Sequence, residues 1–323
     1  MADSLTITST YAGELALPYV APAILAADSI ANNYITLKEN VKKNIVLKKI
    51  DGAVLQVGGT AGCDFDPQTG LTLTEAILTP EDMKVNVQLC KAEFRLDWEA
   101  LQTGRGYIND QIPPNFQTFL LQYLGAIVAE GIEKNIWHGD YNETTGATTG
   151  GNAVTNFEGV LAKIVAGTPG FEGLVAGAFT GDADAATGII THLNTLVAGL
   201  PDAIQGDANT RIFMSRKSLF LLHQAMASIG VAGGYSPQVG ADRPASYLGF
   251  DIVVPAGFPN DTLLGAQSSN LFFGTDLQSD FNQAVVVDMT PTDASDNVRL
   301  AMRFSGGVQI AFLGDVAVVR RSS

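Results

Sequence analysis

The most regular hydrophobic pattern in the chain lies between residues 115 and 138. Phe116, Phe119, Leu120, Tyr123, Leu124, Ile127, Val128 and Ile132 recur there at i, i+3, i+4 and i+7, the spacing of a helix with one buried stripe. Pro113-Pro114-Asn115 opens the segment and Gly139 follows it, as expected of a helix that starts at proline and stops before glycine. At 1.5 Å per residue, a helix over 115–138 spans about 36 Å. A helix of that length is a strut.

The remaining patterns predict strands and shorter helices. Val85, Val87 and Leu89 alternate with polar residues, then Ala92, Phe94, Leu96 and Trp98 alternate in the opposite phase. A change of phase at Cys90-Lys91 moves the buried set to the other face, which a bulge or bend repairs. The turn-rich stretch GGTAGCDFDPQTG (58–70) interrupts this β-rich region, so residues 45–98 read as a long projecting β-loop. Ile189, Leu193, Leu196, Val197 and Leu200 form a second helical stripe, stopped by Pro201. Arg211 to Met214 read as a strand, and Ser215 is placed to cap a helix running to Ser228, with Leu219, Leu222 and Met226 inward. Short strands are expected at 251–255, at NLFFG (270–274) and at 284–289, and strands interleaved with helices indicate a mixed α/β subdomain. Finally Val298, Leu300, Met302, Phe304, Val308, Ile310 and Phe312 keep one parity across Gly306-Gly307, a strand or hairpin with one buried face. Its distance in sequence from the first β-rich region suggests that it closes back onto the long helix.

Composition changes the picture in one respect. The 323 residues are 46% hydrophobic and only 16% charged, against the roughly 25% charge usual in soluble domains, and mean hydropathy is +0.17. No apolar run reaches the length of about 18–20 residues that a membrane helix needs, and the start carries Asp3 and Glu14 without a basic region, unlike a secretory signal. Burial of the surface in a protein assembly accounts for the missing charge better than lipid does. The first 36 residues hold no Lys or Arg and read as an extended arm ordered by its neighbours.

Net charge is −14, which argues against a broad nucleic-acid grip. It is unevenly spread: Lys38, Lys42, Lys43, Lys48 and Lys49 crowd residues 37–50, whereas residues 140–210 are acidic apart from Lys163. The lysines, interleaved with Val41, Ile45, Val46, Leu47 and Ile50, suit a subunit contact with an acidic surface better than phosphate binding. Cys63 and Cys90 cannot make a four-ligand zinc site, and a reduced, intracellular setting is the default for them.

Candidate chemistry is sparse. His138 falls in the last turn of the long helix, where a cation suits the dipole, and His138-Gly139-Asp140 lacks a third metal ligand. His192 and His223 lie beside helical stripes and read as packed residues. No GxSxG elbow is present. Glu81-Asp82 after Thr79-Pro80 resembles a helix or turn start, Asp182/Asp184 a solvated loop, and Gly58-Gly59 and Gly150-Gly151 lack the context of phosphate loops. Asp276, at the end of NLFFGTD (270–276), is the remaining candidate for a catalytic strand end. No catalytic, cofactor-binding or metal-ligating residue is assigned, and no cofactor is expected.

The succession of elements carries more information than any of them alone. The long helix ending in Ile136-Trp137-His138-Gly139-Asp140, SRKSLFLLHQAM (215–226) after a short strand, and YLGFDIVVPAGFPNDTLL…NLFFGTDLQSDF (247–281) together resemble the major capsid protein of tailed bacteriophages, the Hong Kong 97-type coat fold. The resemblance implies an α+β chain: an N-terminal arm (1–44), an extended β-loop (45–98), a peripheral domain (99–164 and 285–323) with a spine helix at 115–138, and an axial α/β domain (165–284). It further implies a structural, non-enzymatic protein that assembles into hexamers and pentamers of an icosahedral shell around double-stranded DNA. Implied partners are other copies of itself, a portal, scaffolding and decoration proteins, and packaged DNA on the inner face, with no membrane. The virion capsid is the implied location, after synthesis and assembly in the host cytoplasm. The alternatives are a nanocompartment (encapsulin-like) shell of the same fold and an α/β enzyme with its site near Asp276.

Overall fold

A computed structural model describes residues 8–12, 27–52, 71–90, 114–142, 147–148, 157–182, 187–229, 246–276 and 283–322. In chain order the first elements are β1 (Thr8–Ala12), α1 (Asp28–Ala31), β2 (Thr36–Lys38), β3 (Ile45–Gly52), β4 (Leu71–Leu78), β5 (Glu81–Cys90) and α2 (Pro114–Trp137). Next come β6 (Tyr141–Asn142), β7 (Ala147–Thr148), α3 (Val160–Ala166), β8 (Phe171–Ala176), α4 (Ile189–Ala198), α5 (Asp202–Gln205), β9 (Thr210–Met214) and α6 (Arg216–Ile229). The chain ends through β10 (Ser246–Tyr247), β11 (Phe250–Val253), β12 (Thr262–Gln267), β13 (Leu271–Gly274), β14 (Gln283–Asp288), α7 (Thr290–Asp293), β15 (Asn297–Ile310) and β16 (Ala317–Ser322).

Two six-stranded sheets organise these elements. One runs β10-β11-β9-β12-β16-β8, and its central strands β9 and β12, with the first half of β16, are buried on both faces. Ile212, Met214, Leu263, Ala317 and Val319 point into one core, lined by Leu193, Leu196 and Leu222 of α4 and α6. Their sequence neighbours Phe213, Leu264 and Val318 point into the other, around Ile136 and Trp137. The apolar runs Ile212-Phe213-Met214 and Val316-Ala317-Val318-Val319 follow directly, since a strand covered on both sides has no solvated face to alternate with. Ser215 caps α6 as expected, its Oγ accepting from Ser218 N–H at 3.1 Å.

The second sheet runs β1-β14-β15-β13-β2, with β5 also pairing β15. β15 is one 14-residue strand. Val298, Leu300, Met302 and Phe304 are its buried parity. Contrary to the expectation from sequence separation, it pairs along Asn297–Gly306 with β5 of the first β-rich region. The expected helix or turn start at Glu81-Asp82 is the first part of that strand. The opposite-phase pattern at 92–98 lies outside the described residues.

The long helix is present, one residue earlier than expected at each end. Its described buried stripe is Leu124, Val128, Ile132 and Ile136, joined by Ala129, Glu133 and Trp137. Ile127 is 51% exposed rather than inward, because the stripe follows the i, i+4 row and Ile127 sits beside it. Trp137 packs edge-on to Phe258 at 5.1 Å and tilted against Phe213 at 5.3 Å. Beyond it the backbone of residue 139 passes residues 157–159 so closely that a Cβ on Gly139 would lie 2.2 Å from the Gly159 nitrogen. Glycine at that place in IWHGD is a steric requirement.

Three segments sit differently from the sequence reading. Ala27, Ile30 and Ile35, read as part of an extended arm, are buried in the chain's own core, and α1 was not foreseen. β13 belongs to the sheet of β15 and β2, not to that of β9 and β12. β16 joins β12 and β8 instead of the strands just before it. Sheet membership therefore crosses the boundaries drawn at residues 284 and 285.

Candidate assembly surface

β3 and β4 form a two-stranded antiparallel ribbon, Ile45 opposite Leu78 at its root and Gly52 opposite Leu71 at the far end of the described residues. A two-stranded ribbon has only marginal stability of its own, so the contacts at its root decide its position. Leu78 is fully buried and fills the space beside Gly274, where a Cβ would meet its Cδ2 at 2.6 Å. Thr275 N–H donates to Lys38 O at 3.0 Å and Thr275 O accepts from Val41 N–H at 3.1 Å, while Thr275 Oγ1 donates to Ser305 O at 2.8 Å. The stretch NLFFGTD is thus the junction that binds β2, the ribbon and β15 together. Asp276, the candidate catalytic residue, is 4% exposed, with its N–H directed at Ser305 Oγ.

Strand pleat divides the ribbon into two faces. On the inner face Lys49 reaches the turn after β15: its Nζ lies 2.7 Å from Asp315 Oδ2 and 4.9 Å from the Phe312 ring centre. On the outer face Val46, Ile50, Leu73 and Ile77 are 43%, 70%, 55% and 52% exposed. Lys48 and Glu75 stand between them as a 3.2 Å ion pair. Single exposed apolar residues are ordinary, but four on one small ribbon mark a contact surface.

The lysine cluster is divided among several roles. Lys38 lies 5.4 Å over Phe272, Lys48 and Lys49 are ion-paired, and Lys42 and Lys43 are exposed at the ribbon's entry. The signal for the apolar face was present in sequence as Val46-x-Lys48-x-Ile50. Without β4's register, however, it could not be told from an inward face.

Of the three histidines, His192 is buried and packed, while His138 and His223 are half-buried. His192 is 4% exposed and stacked 4.6 Å from Phe179; burial pushes its pKa down, partly offset by a hydrogen bond with the Thr187 backbone. His138 lies in the turn after α2, its carbonyl accepting from Tyr141 N–H at 2.7 Å. Among the described residues no three His, Cys, Asp or Glu side chains are grouped to hold a metal ion, and no helix is long and apolar enough to cross a membrane. Asp182 is exposed, while Asp184, Cys63 and the Gly58 and Gly150 pairs lie outside the described residues.

Sequence reasoning missed Glu133 entirely. Its carboxylate is 3% exposed, with Oε2 accepting from Ser29 N–H at 2.9 Å and Oε1 from Trp137 Nε1 at 3.0 Å and from Ser29 Oγ at 2.5 Å. Its position on the apolar stripe, four residues before Trp137, was the available signal.

No protein-family model matches the chain, and no curated protein matches it in sequence. Solved structures do match in fold. A chain of the satellite phage P4 procapsid that includes the size determination (Sid) protein is 13% identical, with a TM-score of 0.63 over 100% of this chain and 94% of that one. The capsid of the native GTA particle is 13% identical, with a TM-score of 0.59 over 100% of this chain and 95% of that one. A chain from Gordonia phage Cozz is 13% identical, with a TM-score of 0.52 over 92% and 87%. This likeness over the whole chain places it in the fold of these procapsid and capsid chains.

Proposed function

We propose that this protein is a major capsid protein, a structural and non-enzymatic subunit that assembles into hexamers and pentamers of an icosahedral shell enclosing double-stranded DNA. The observation that carries the reading is the likeness to procapsid and capsid chains over the whole chain. The exposed apolar face of the β3–β4 ribbon supports it, because such a face on a ribbon with few contacts of its own suits burial on a neighbouring copy. So does the low charge content, since a shell subunit buries more than one standard interface of about 1,600 Å². The contacts would be heterologous and close into rings. The proposed location is the virion capsid, and the proposed partners are further copies of the chain, a portal, scaffolding and decoration proteins, and packaged DNA.

Sedimentation of the purified protein tests the assembly reading. The expected result is a fast-sedimenting species that is lost in an Ile50→Asp/Leu73→Asp variant whose circular dichroism is unchanged. A wild-type protein that stays monomeric under all assembly conditions contradicts it.

A further inference from the structure

The N-terminal segment is tied to the long helix at one buried point. α1 offers Ser29 N–H and Ser29 Oγ to the two oxygens of Glu133, and Trp137 Nε1 also donates to Ser29 Oγ at 2.8 Å. Ala27 and Ile30 sit in the core on either side. A second tie, Asp28 Oδ2 accepting from Ala256 N–H at 3.0 Å, is solvent-exposed. Among the described residues no Lys, Arg or His forms an ion pair with Glu133. A carboxylate carried so far from water without a cation is an unusual choice on an apolar stripe.

We propose that Glu133 is a proton-sensitive latch, holding the root of the N-terminal segment on the long helix and setting by its ionisation how firmly that root is held. The surrounding charges fit. Asp28 of α1 is a like charge. Tyr34, just after α1, interacts with Asp28, Glu133 and Arg211 of β9, and its own pKa is raised, chiefly by burial. On the helix itself Glu130 and Lys134 pair with each other at 2.7 Å on the exposed side and leave Glu133 alone. From the segment after β11, Gly257 packs against the helix backbone at Glu133 and Lys134. Desolvation raises the Glu133 pKa above the ordinary glutamate value, more than the Ser29 and Trp137 hydrogen bonds lower it.

The sign follows from linkage. The seated state binds the proton more tightly than the released state does, so seating is strongest below the ordinary glutamate value. It weakens as pH rises through the raised one. Each pH unit inside that window changes the ratio of seated to released root by up to about tenfold. The latch does not depend on the shell assignment, because it uses contacts within one chain.

Hydrogen–deuterium exchange of residues 27–36 in the full-length protein between pH 5 and 8, corrected for the intrinsic pH dependence of amide exchange, tests it. Protection is expected to fall with rising pH in the wild type. It should be pH-independent in Glu133→Gln, which keeps an acceptor for Ser29 N–H and cannot ionise, and lower throughout in Ser29→Ala. A Glu133→Gln profile that follows the wild type overturns the proposal, as does protection in Ser29→Ala equal to the wild type's. The glutamine variant keeps the volume of the side chain, so the comparison stands even if Glu133→Ala fails to fold.

Discussion

Trp137 is fully buried where the long helix, the sheet of β9 and β12, and the 255–261 segment meet. Truncating so large a core side chain leaves a cavity as well as losing transfer energy, at a cost of about 3–5 kcal/mol. Trp137→Ala is therefore expected to lower the denaturant midpoint sharply, measured by chemical unfolding, with no gain from added metal or ligand. His192 makes a second prediction. Its folded pKa is depressed by burial, so the unfolded state binds the proton more readily, and stability must decline as pH falls below about 6.5. Melting temperature should drop between pH 7 and 5, and His192→Phe should remove part of that dependence; an unchanged slope would contradict it. At this scale the sequence was readable where a side chain had one purpose. Val298 to Phe304, Ser215 as a cap and Gly139 after the helix all sit as the pattern implied. Ile127 and Glu133 did not, because a stripe of period 3.6 drifts around a long helix. Which flank is covered depends on α1, whose own pattern is too short to register.

Among the elements, the β3–β4 ribbon separates folding from association. Its root is fixed by Leu78, Thr275 and the Lys49–Asp315 pair, whereas Val46, Ile50, Leu73 and Ile77 on its outer face are exposed. Acidic substitutions at Ile50 and Leu73 should leave chain stability within about 0.5 kcal/mol, as surface changes usually do, while removing assembly. Charge reversal at Lys42 and Lys43 should impair assembly less, since exposed charges tune contact more than they create it; sedimentation at low and high salt distinguishes the two. The strands were legible as strands because their apolar runs and alternations are local. Their partners were not, because NLFFG reads the same whether it pairs with β15 or β12. What decides it is long-range: Gly274 admits Leu78, and Thr275 binds the backbone of Lys38 and Val41.

For the whole molecule, the order of elements carried the fold further than any single motif. Projecting ribbon, long helix, α/β sheet and returning strand occur in that succession in this chain, and procapsid and capsid chains share its fold at 13% identity. Identity that low is what packing rules allow when only volume and pattern must persist. The two sheets share the core around Trp137, and the β3–β4 ribbon stands outside both sheets. Cryo-electron microscopy of the purified protein after assembly tests the shell assignment most directly. Closed shells with rings of six and five subunits are expected, each β3–β4 ribbon lying with Val46, Ile50, Leu73 and Ile77 against a neighbouring copy. Small monodisperse particles under every condition, or shells in which that face points to solvent, would contradict it.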